Sequence, residues 1–461
     1  MMALLTSLLA IAPVSAAPAA APATFDVLPA LQQYLQIDTQ NPPGNELKAA
    51  QFLKAILDRE GIENELLEIA PGRACLWARL KGDGSQPGLI LSHHMDVVQV
   101  ERARWTVDPF AAVIKDGYLY GRGTLDMKTT GILHLATLLR LEREKIPLAR
   151  DVILLATADE EVDALGMSAL IKRRPELFRN VAFSLTEGEV IDEVDGAVRS
   201  YNVDISEKAA VWLRLTAKGR AGHGSVPFKQ DNAVESLLAA LERVRRYESP
   251  VVVLPAIARY YARLADRFDG LAPDSLRNLS RAMNDEAFRT AFLATPERAA
   301  QVRNTISITV LKGGPQTNVI PGEASAELDC RLLPGQDPAA FIAAIQALIA
   351  DPNVTVSTIS PVIGASASPI DSALMHAIES VAREVDPGVP VATTILTGWT
   401  ESSLLRPLGI QAYGFEPYRI SQQENRRVHG DDERISLENI QRGGEILYRV
   451  VLTLCARGSL R

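Results

Sequence analysis

Four of the six histidines in this 461-residue chain stand in short polar clusters, and those clusters are where chemistry could be done. His93-His94-Met95-Asp96 follows the apolar run Gly88–Ser92. In an extended chain, side chains two apart share a face. His94 and Asp96 would therefore point together, an imidazole with a carboxylate to orient it, and His93 would point away. Gly121-Arg122-Gly123-Thr124-Leu125-Asp126 is a glycine turn that delivers a carboxylate just ahead of a helix, where it could equally serve as a cap. Asp159-Glu160-Glu161 closes the run Val152–Thr157. Adjacent carboxylates leaving a strand on opposite sides can divide two tasks, one holding a cation and one moving protons. Glu187-Gly188 closes another run, Val181–Thr186, and His429-Gly430-Asp431-Asp432-Glu433 precedes the last helix. His134 and His376 lie inside helical apolar runs and read as packed or surface residues.

Each cluster alone is commonplace. Together they place imidazoles and carboxylates at the ends of separate strands, the donors that a pair of divalent ions roughly 3.5–4 Å apart requires. Imidazole and carboxylate suit zinc in an open, catalytic site. Thiolate is excluded as a ligand, because Cys75, Cys330 and Cys455 are far apart in apolar stretches and read as buried thiols without a disulfide framework.

The elements that must position these residues have an α/β texture. Glu46–Glu60 has a helical apolar stripe, and short apolar runs at Ala74–Leu80, Gly88–Ser92, Val152–Thr157 and Val181–Thr186 alternate with helical patterns such as Thr129–Lys145. This predicts a mostly parallel, helix-covered sheet with its site at the carboxyl ends of the strands. From residue 211 the order becomes strand, helix, strand, strand, helix, strand (Val211–Ala217, Asn232–Tyr247, Thr305–Leu311, Ala324–Leu332, Asp337–Ala350, Val354–Ile359), that of a small α+β, ferredoxin-like domain. The expected organisation is a catalytic domain over 25–210 and 362–461, interrupted by a smaller domain over 211–361. That smaller domain itself carries a helical insertion near 249–304.

Composition sets the outer limits. The chain is 47% hydrophobic and 23% charged with a net charge of −8, and no basic stripe interleaves with aromatics, so nucleic acid is excluded as a partner. Ala3–Pro13 is almost wholly apolar, and Val14-Ser15-Ala16 offers small residues for cleavage, although no Lys or Arg precedes it. Residues 1–16 read as a signal peptide, too short to span a bilayer, and imply export to a periplasm or the outside.

In order and in kind, these motifs resemble the di-zinc peptidase family of glutamate carboxypeptidase, carboxypeptidase S, aminoacylase and succinyl-diaminopimelate desuccinylase, from about Phe25 to the C-terminus. The resemblance implies that His94, Asp126, Glu161, Glu187 and His429 hold two zinc ions, with cobalt or manganese as substitutes. Asp126 would bridge them, with His94 and Glu187 on one and Glu161 and His429 on the other. It implies Glu160 as general base, Asp96 behind His94, and a cis peptide at Asp126–Met127. Gly222-His223-Gly224-Ser225 resembles the motif whose histidine contacts the scissile carbonyl. Gly314 to Pro321, with Asn318, and Asp329-Cys330-Arg331 resemble the segments that hold a substrate carboxylate. Ser206 to Ser225 is most similar to the carboxypeptidase S and N-acyl-amino-acid hydrolase branch. The implied function is hydrolysis of an amide bond beside a free carboxylate in a small peptide or N-acyl amino acid. Glu at position 187 favours a carboxypeptidase or acylase over the alternative, a dipeptidase; a non-catalytic binding protein is the reading from another class. A homodimer with the smaller domain as lid and dimerisation surface is also implied. Gly398-Trp399-Thr400-Glu401 departs from the family's Gly-Gly-Thr-Asp and puts bulk where substrate should lie.

Overall fold

The computed structural model describes residues 25–228, 230–362 and 364–458. The leader reading for 1–16 lies outside them. Eight strands form the main sheet, in the order Glu63–Ala70, Arg73–Leu80, Val152–Thr157, Gly88–His94, Val181–Val194, Gln411–Ser421, Ala197–Glu207, Val391–Leu396. Its centre is parallel: Gly88–His94 runs alongside both Val152–Thr157 and Val181–Val194, and Gln411–Ser421 runs alongside Val181–Val194. Every residue of Gly88–His94 and of Val152–Thr157 is buried, as expected of strands covered on both faces. The helices Glu46–Arg59, Lys128–Arg143, Ala373–Val385 and Leu437–Cys455 supply Leu53, Leu135, Ile378 and Val450 to one continuous core with the sheet. Starts are fixed locally; the Ser436 hydroxyl, for example, accepts from the Asn439 N–H at 3.1 Å to cap the last helix.

Residues 209–358 contribute a second, antiparallel sheet of four strands in the order Thr305–Lys312, Glu323–Leu332, Ala209–Lys218, Val354–Thr358. The helices Ala233–Arg246 and Pro338–Ile349 cover one face of it, and Leu213, Leu215, Leu237, Leu328 and Ile345 form a separate core. Between Ala233–Arg246 and Thr305–Lys312 the chain makes five short helices, Pro255–Arg263, Pro273–Arg277, Leu279–Ala282, Glu286–Leu293 and Pro296–Val302. Their apolar side chains, among them Ile257, Tyr261 and Phe292, join the core of the larger unit and not that of the unit they interrupt. Arg263 donates to the Val391 carbonyl at 2.7 Å on the edge strand of the main sheet.

One sequence expectation is corrected. Val181–Thr186 does not end before Glu187-Gly188; the strand runs on to Val194. Thr186 pairs with Gly414 and Val190 with Glu416, so Glu187, Gly188 and Glu189 bulge opposite the single residue Phe415. The bulge is pressed against its neighbour, where a Cβ on Gly188 would lie 2.5 Å from the Gly414 Cα, so only glycine fits.

Candidate active site

The carboxyl ends of the parallel strands and the bulge converge on one buried cluster. His94 is the last residue of its strand and lies level with Thr157, after which Asp159-Glu160-Glu161 turns out of the sheet. His94 Nε2 is 2.9 Å from Asp126 Oδ1 and 3.5 Å from Glu187 Oε2. His429 Nε2 is 3.0 Å from the other oxygen, Asp126 Oδ2, and 3.2 Å from Glu161 Oε2. Asp126 thus stands between two donor sets. Donor atoms of His94, Asp126 and Glu161 lie within 4.8 Å of one another, as do those of His94, Glu160 and Glu187. Asp159 and His429 both take left-handed backbone, at φ 70° and 60°, strain of the kind that collects where a side chain must be aimed. The peptide between Asp126 and Met127 is cis.

Asp96 lies behind His94 and also does something more. The His94 Nδ1 approaches the Asp96 carbonyl oxygen at 2.9 Å, nearer than the carboxylate at 3.7 Å. The carboxylate instead accepts the backbone N–H groups of Glu160 (3.1 Å) and Glu161 (3.2 Å) and the Asn41 amide (2.8 Å). It therefore sets the turn that carries both glutamates. His93 points away, into the core, beside Tyr34 and over Gly131, where a Cβ would lie 2.3 Å from the imidazole. Burial holds it well below the usual histidine range, and burial likewise depresses His134 to about 3; neither is a candidate ligand. His376 is exposed beside Asp371.

Four carboxyls share this small buried volume, and their protonation shows the strain. Burial, then the neighbouring Glu187, pushes Glu160 well above the carboxylate range. Glu161 is raised to about 7 by burial and by Asp126, and Glu187 is raised by burial. Burial opposes charge on the imidazoles, but the surrounding carboxylates outweigh it, lifting His94 well above its normal value and His429 to about 11. Such a site is short of positive charge. Glu161 Oε1 is also buried without a hydrogen-bond partner. Hard oxygen and imidazole donors, an orphaned carboxylate oxygen and uncompensated negative charge all fit divalent cations.

A residue with no assigned role in the sequence holds the bridging aspartate in place. Glu433, fully buried, accepts the backbone N–H groups of Gly123 (3.1 Å), Leu125 (2.7 Å) and Asp126 (3.1 Å) and pairs with Arg122 at 2.6 Å. The only signal for it was its place at the end of the acidic run after His429.

Beside the cluster opens a cavity of about 970 Å³, lined by Glu160, Glu161, Glu187 and His429 together with Val162, Leu165, Leu404 and Trp399. The second sheet supplies Trp212, Asp329 and Arg331. Arg331 is already engaged, since its Nε donates to Asp329 Oδ1 at 2.7 Å and its Nη2 to Oδ2 at 3.1 Å, which leaves Nη1 without a partner among the described residues. His223 lies on the two-stranded ribbon Gly222–His223 with Val319–Ile320, Asn318 immediately precedes the ribbon's second strand, and neither lines this cavity. His223 is exposed, with its Nδ1 2.7 Å from the Ser225 hydroxyl. Glu189 and Glu416, which sequence reasoning passed over, do line the cavity.

Residues 90–453 match the model of peptidase family M20/M25/M40. The chain is 30% identical over 372 residues to N-fatty-acyl-amino acid synthase/hydrolase of Xenopus tropicalis, covering 78% of this chain and 72% of that protein. It is 27% identical to aminoacylase-1A of Rattus norvegicus over 92% of this chain and 94% of that one. Among solved structures, an M20 family metallo-carboxypeptidase from Sulfolobus solfataricus superposes with a TM-score of 0.73 at 18% identity, covering 94% of this chain and 99% of that one.

Proposed function

The chain belongs to peptidase family M20/M25/M40 and is a hydrolase of amide bonds, and from that premise we propose that it cleaves an amide beside a free carboxylate, as a carboxypeptidase or N-acyl-amino-acid hydrolase acting with two zinc ions. The observation that carries the reading is the division of donors about Asp126, one oxygen facing His94 and the other facing His429. Asp126 would bridge the ions, with His94 and Glu187 holding one and Glu161 and His429 the other. Bound there, they would lower the pKa of water and polarise the scissile carbonyl.

The chain's own groups do the rest. Glu160, which lines the cavity, takes the proton from the attacking water as a carboxylate and returns it to the departing amine nitrogen, a role worth roughly 10²–10⁴-fold. Asp96 keeps Glu160 and Glu161 on their separate sides through the two backbone N–H groups it accepts. The substrate carboxylate would meet Arg331 through Nη1, one nitrogen and not a fork, because Asp329 occupies the other edge. His223 and Asn318 do not line this chain's cavity, and we assign them to the site of a second copy in a homodimer. Export of the mature enzyme, beginning near Ala17, belongs to the same proposal.

The test is a pair of variants. Glu160→Gln should keep both metals and lose nearly all hydrolysis of N-acyl amino acids, whereas Glu161→Gln should purify short of metal and recover partly with added zinc. The opposite pattern would exchange the roles of the two glutamates.

A further inference from the structure

Glu416 sits in the strand Gln411–Ser421, paired with Val190 at the end of the bulge that carries Glu187, and lines the same cavity. It is only 7% exposed and pairs with no cation among the described residues. Its Oε1 lies 2.5 Å from the Thr130 hydroxyl, and that hydroxyl is 2.7 Å from the Tyr418 hydroxyl. Tyr418 is fully buried and its hydroxyl has no other partner among the described residues, so its proton must go to Thr130 or be left unsatisfied at a cost in stability. Each hydroxyl carries one proton. Tyr418 therefore donates to Thr130, and Thr130 donates to Glu416 Oε1.

That chain fixes the polarity of the carboxyl. Oε1 is an acceptor, so any proton on Glu416 resides on Oε2, which has no protein partner among the described residues and is left to the cavity. A carboxylate this deeply buried with no cation partner among the described residues is disfavoured, and burial raises Glu416 well above the carboxylate range. The neutral form presents a single O–H donor beside the cluster, held in one orientation by Thr130 and Tyr418.

We propose that Glu416 is a specificity-determining residue that, as a neutral carboxyl, donates a hydrogen bond from Oε2 to an uncharged oxygen of the bound substrate, and does not act as an anion for a substrate cation. The proposal deepens the amide-hydrolase reading and rests on it. It makes the site favour substrates with an acceptor oxygen at that position over those with an ammonium there.

Three measurements on the zinc-loaded enzyme decide it, with whichever amide the wild type cleaves best in a panel of N-acyl amino acids and dipeptides. Glu416→Ala should raise KM by about tenfold, the loss of one well-placed hydrogen bond, with kcat little changed and zinc content unaltered. Glu416→Gln, which keeps an N–H donor on the same stem, should restore KM to within about threefold of wild type. The infrared difference between wild type and Glu416→Gln should contain a protonated-carboxyl band that shifts when the amino-acid product is added. Gln as impaired as Ala, an ionised-carboxylate band in its place, zinc loss in the Ala variant, or an unchanged KM would each overturn the proposal. Should Glu416→Ala fail to fold, the Gln variant and the infrared band still decide. A wild type that cleaves no member of the panel sinks the functional reading, and the infrared band alone then decides whether Glu416 is a neutral carboxyl.

Discussion

At the scale of single residues, the site depends on groups that never touch substrate. Glu433 is the clearest, a buried carboxylate holding three backbone N–H groups and Arg122 around the turn that aims Asp126. Glu433→Ala leaves Arg122 buried without its carboxylate partner, and should destabilise the fold by about 3–5 kcal/mol in denaturant titration and lower zinc content at the same time. Glu401, under the cluster, behaves oppositely. Burial raises it to about 8, against the hydrogen bond its carboxyl accepts from the Thr157 hydroxyl at 2.7 Å. The folded protein thus holds a proton that the unfolded chain releases near 4.5. Stability from this group is complete below about pH 4.5 and is lost as pH rises through about 8. Glu401→Gln should match the wild type near pH 4.5 and exceed it by a few kcal/mol near pH 8.5, flattening the profile between. The sequence made the direct donors legible, because imidazoles and paired carboxylates directly after apolar runs have few other uses. It hid Glu433, Glu416 and Asn41, whose roles come from contacts 55 to 311 positions away.

At the scale of elements, periodicity located helices such as Glu46–Arg59 and Lys128–Arg143 and the strands Gly88–His94 and Val152–Thr157 to within a few residues, but it did not single out Ala197–Glu207 or Gln411–Ser421. It failed at Glu187–Glu189, where charge interrupts an apolar run while the strand continues, since the bulge turns those side chains to the cavity. Charge reads as a strand end unless something nearby can receive it, and a catalytic cleft can. The junction of the two units holds a further element-scale device. Arg406, buried, pairs with Glu207 at 2.5 Å and donates to the Ser366 carbonyl (3.2 Å), the Ser368 hydroxyl (3.1 Å) and the Ala412 carbonyl (3.0 Å). It therefore clasps both chain segments that pass between the sheets. Arg406→Met should destabilise by about 3–5 kcal/mol by stranding Glu207. The double variant with Glu207→Gln should recover much of that loss, and simple additivity of the two would refute the pairing as its cause.

At the scale of the molecule, the arrangement of His223 is the open mechanical question. It is exposed on the second sheet's ribbon, away from its own chain's cavity. If it serves a second copy, mixing inactive Glu160→Gln with inactive His223→Ala under conditions of subunit exchange should restore up to about a quarter of wild-type activity, the share expected when half of randomly formed pairs are mixed and each has one intact site. No recovery from proven mixed dimers would end the trans assignment. The five-helix insertion limits how such an assembly can move. The two covalent crossings lie side by side, with the Ser206 hydroxyl 2.8 Å from the Ser366 carbonyl and the Lys208 N–H on the Leu396 carbonyl. Two adjacent pivots alone would let one body swing on the other like a door. The insertion is fastened to Val391, at the opposite end of that same edge strand, about 16 Å from the pivots by the strand's rise. A third fixing point off the hinge line turns the door into a braced frame. Relative motion must then strain the brace as well as the hinge, the more so because Lys208 Nζ at the crossing donates to the Ala300 (3.1 Å) and Arg303 (2.8 Å) carbonyls where the insertion ends.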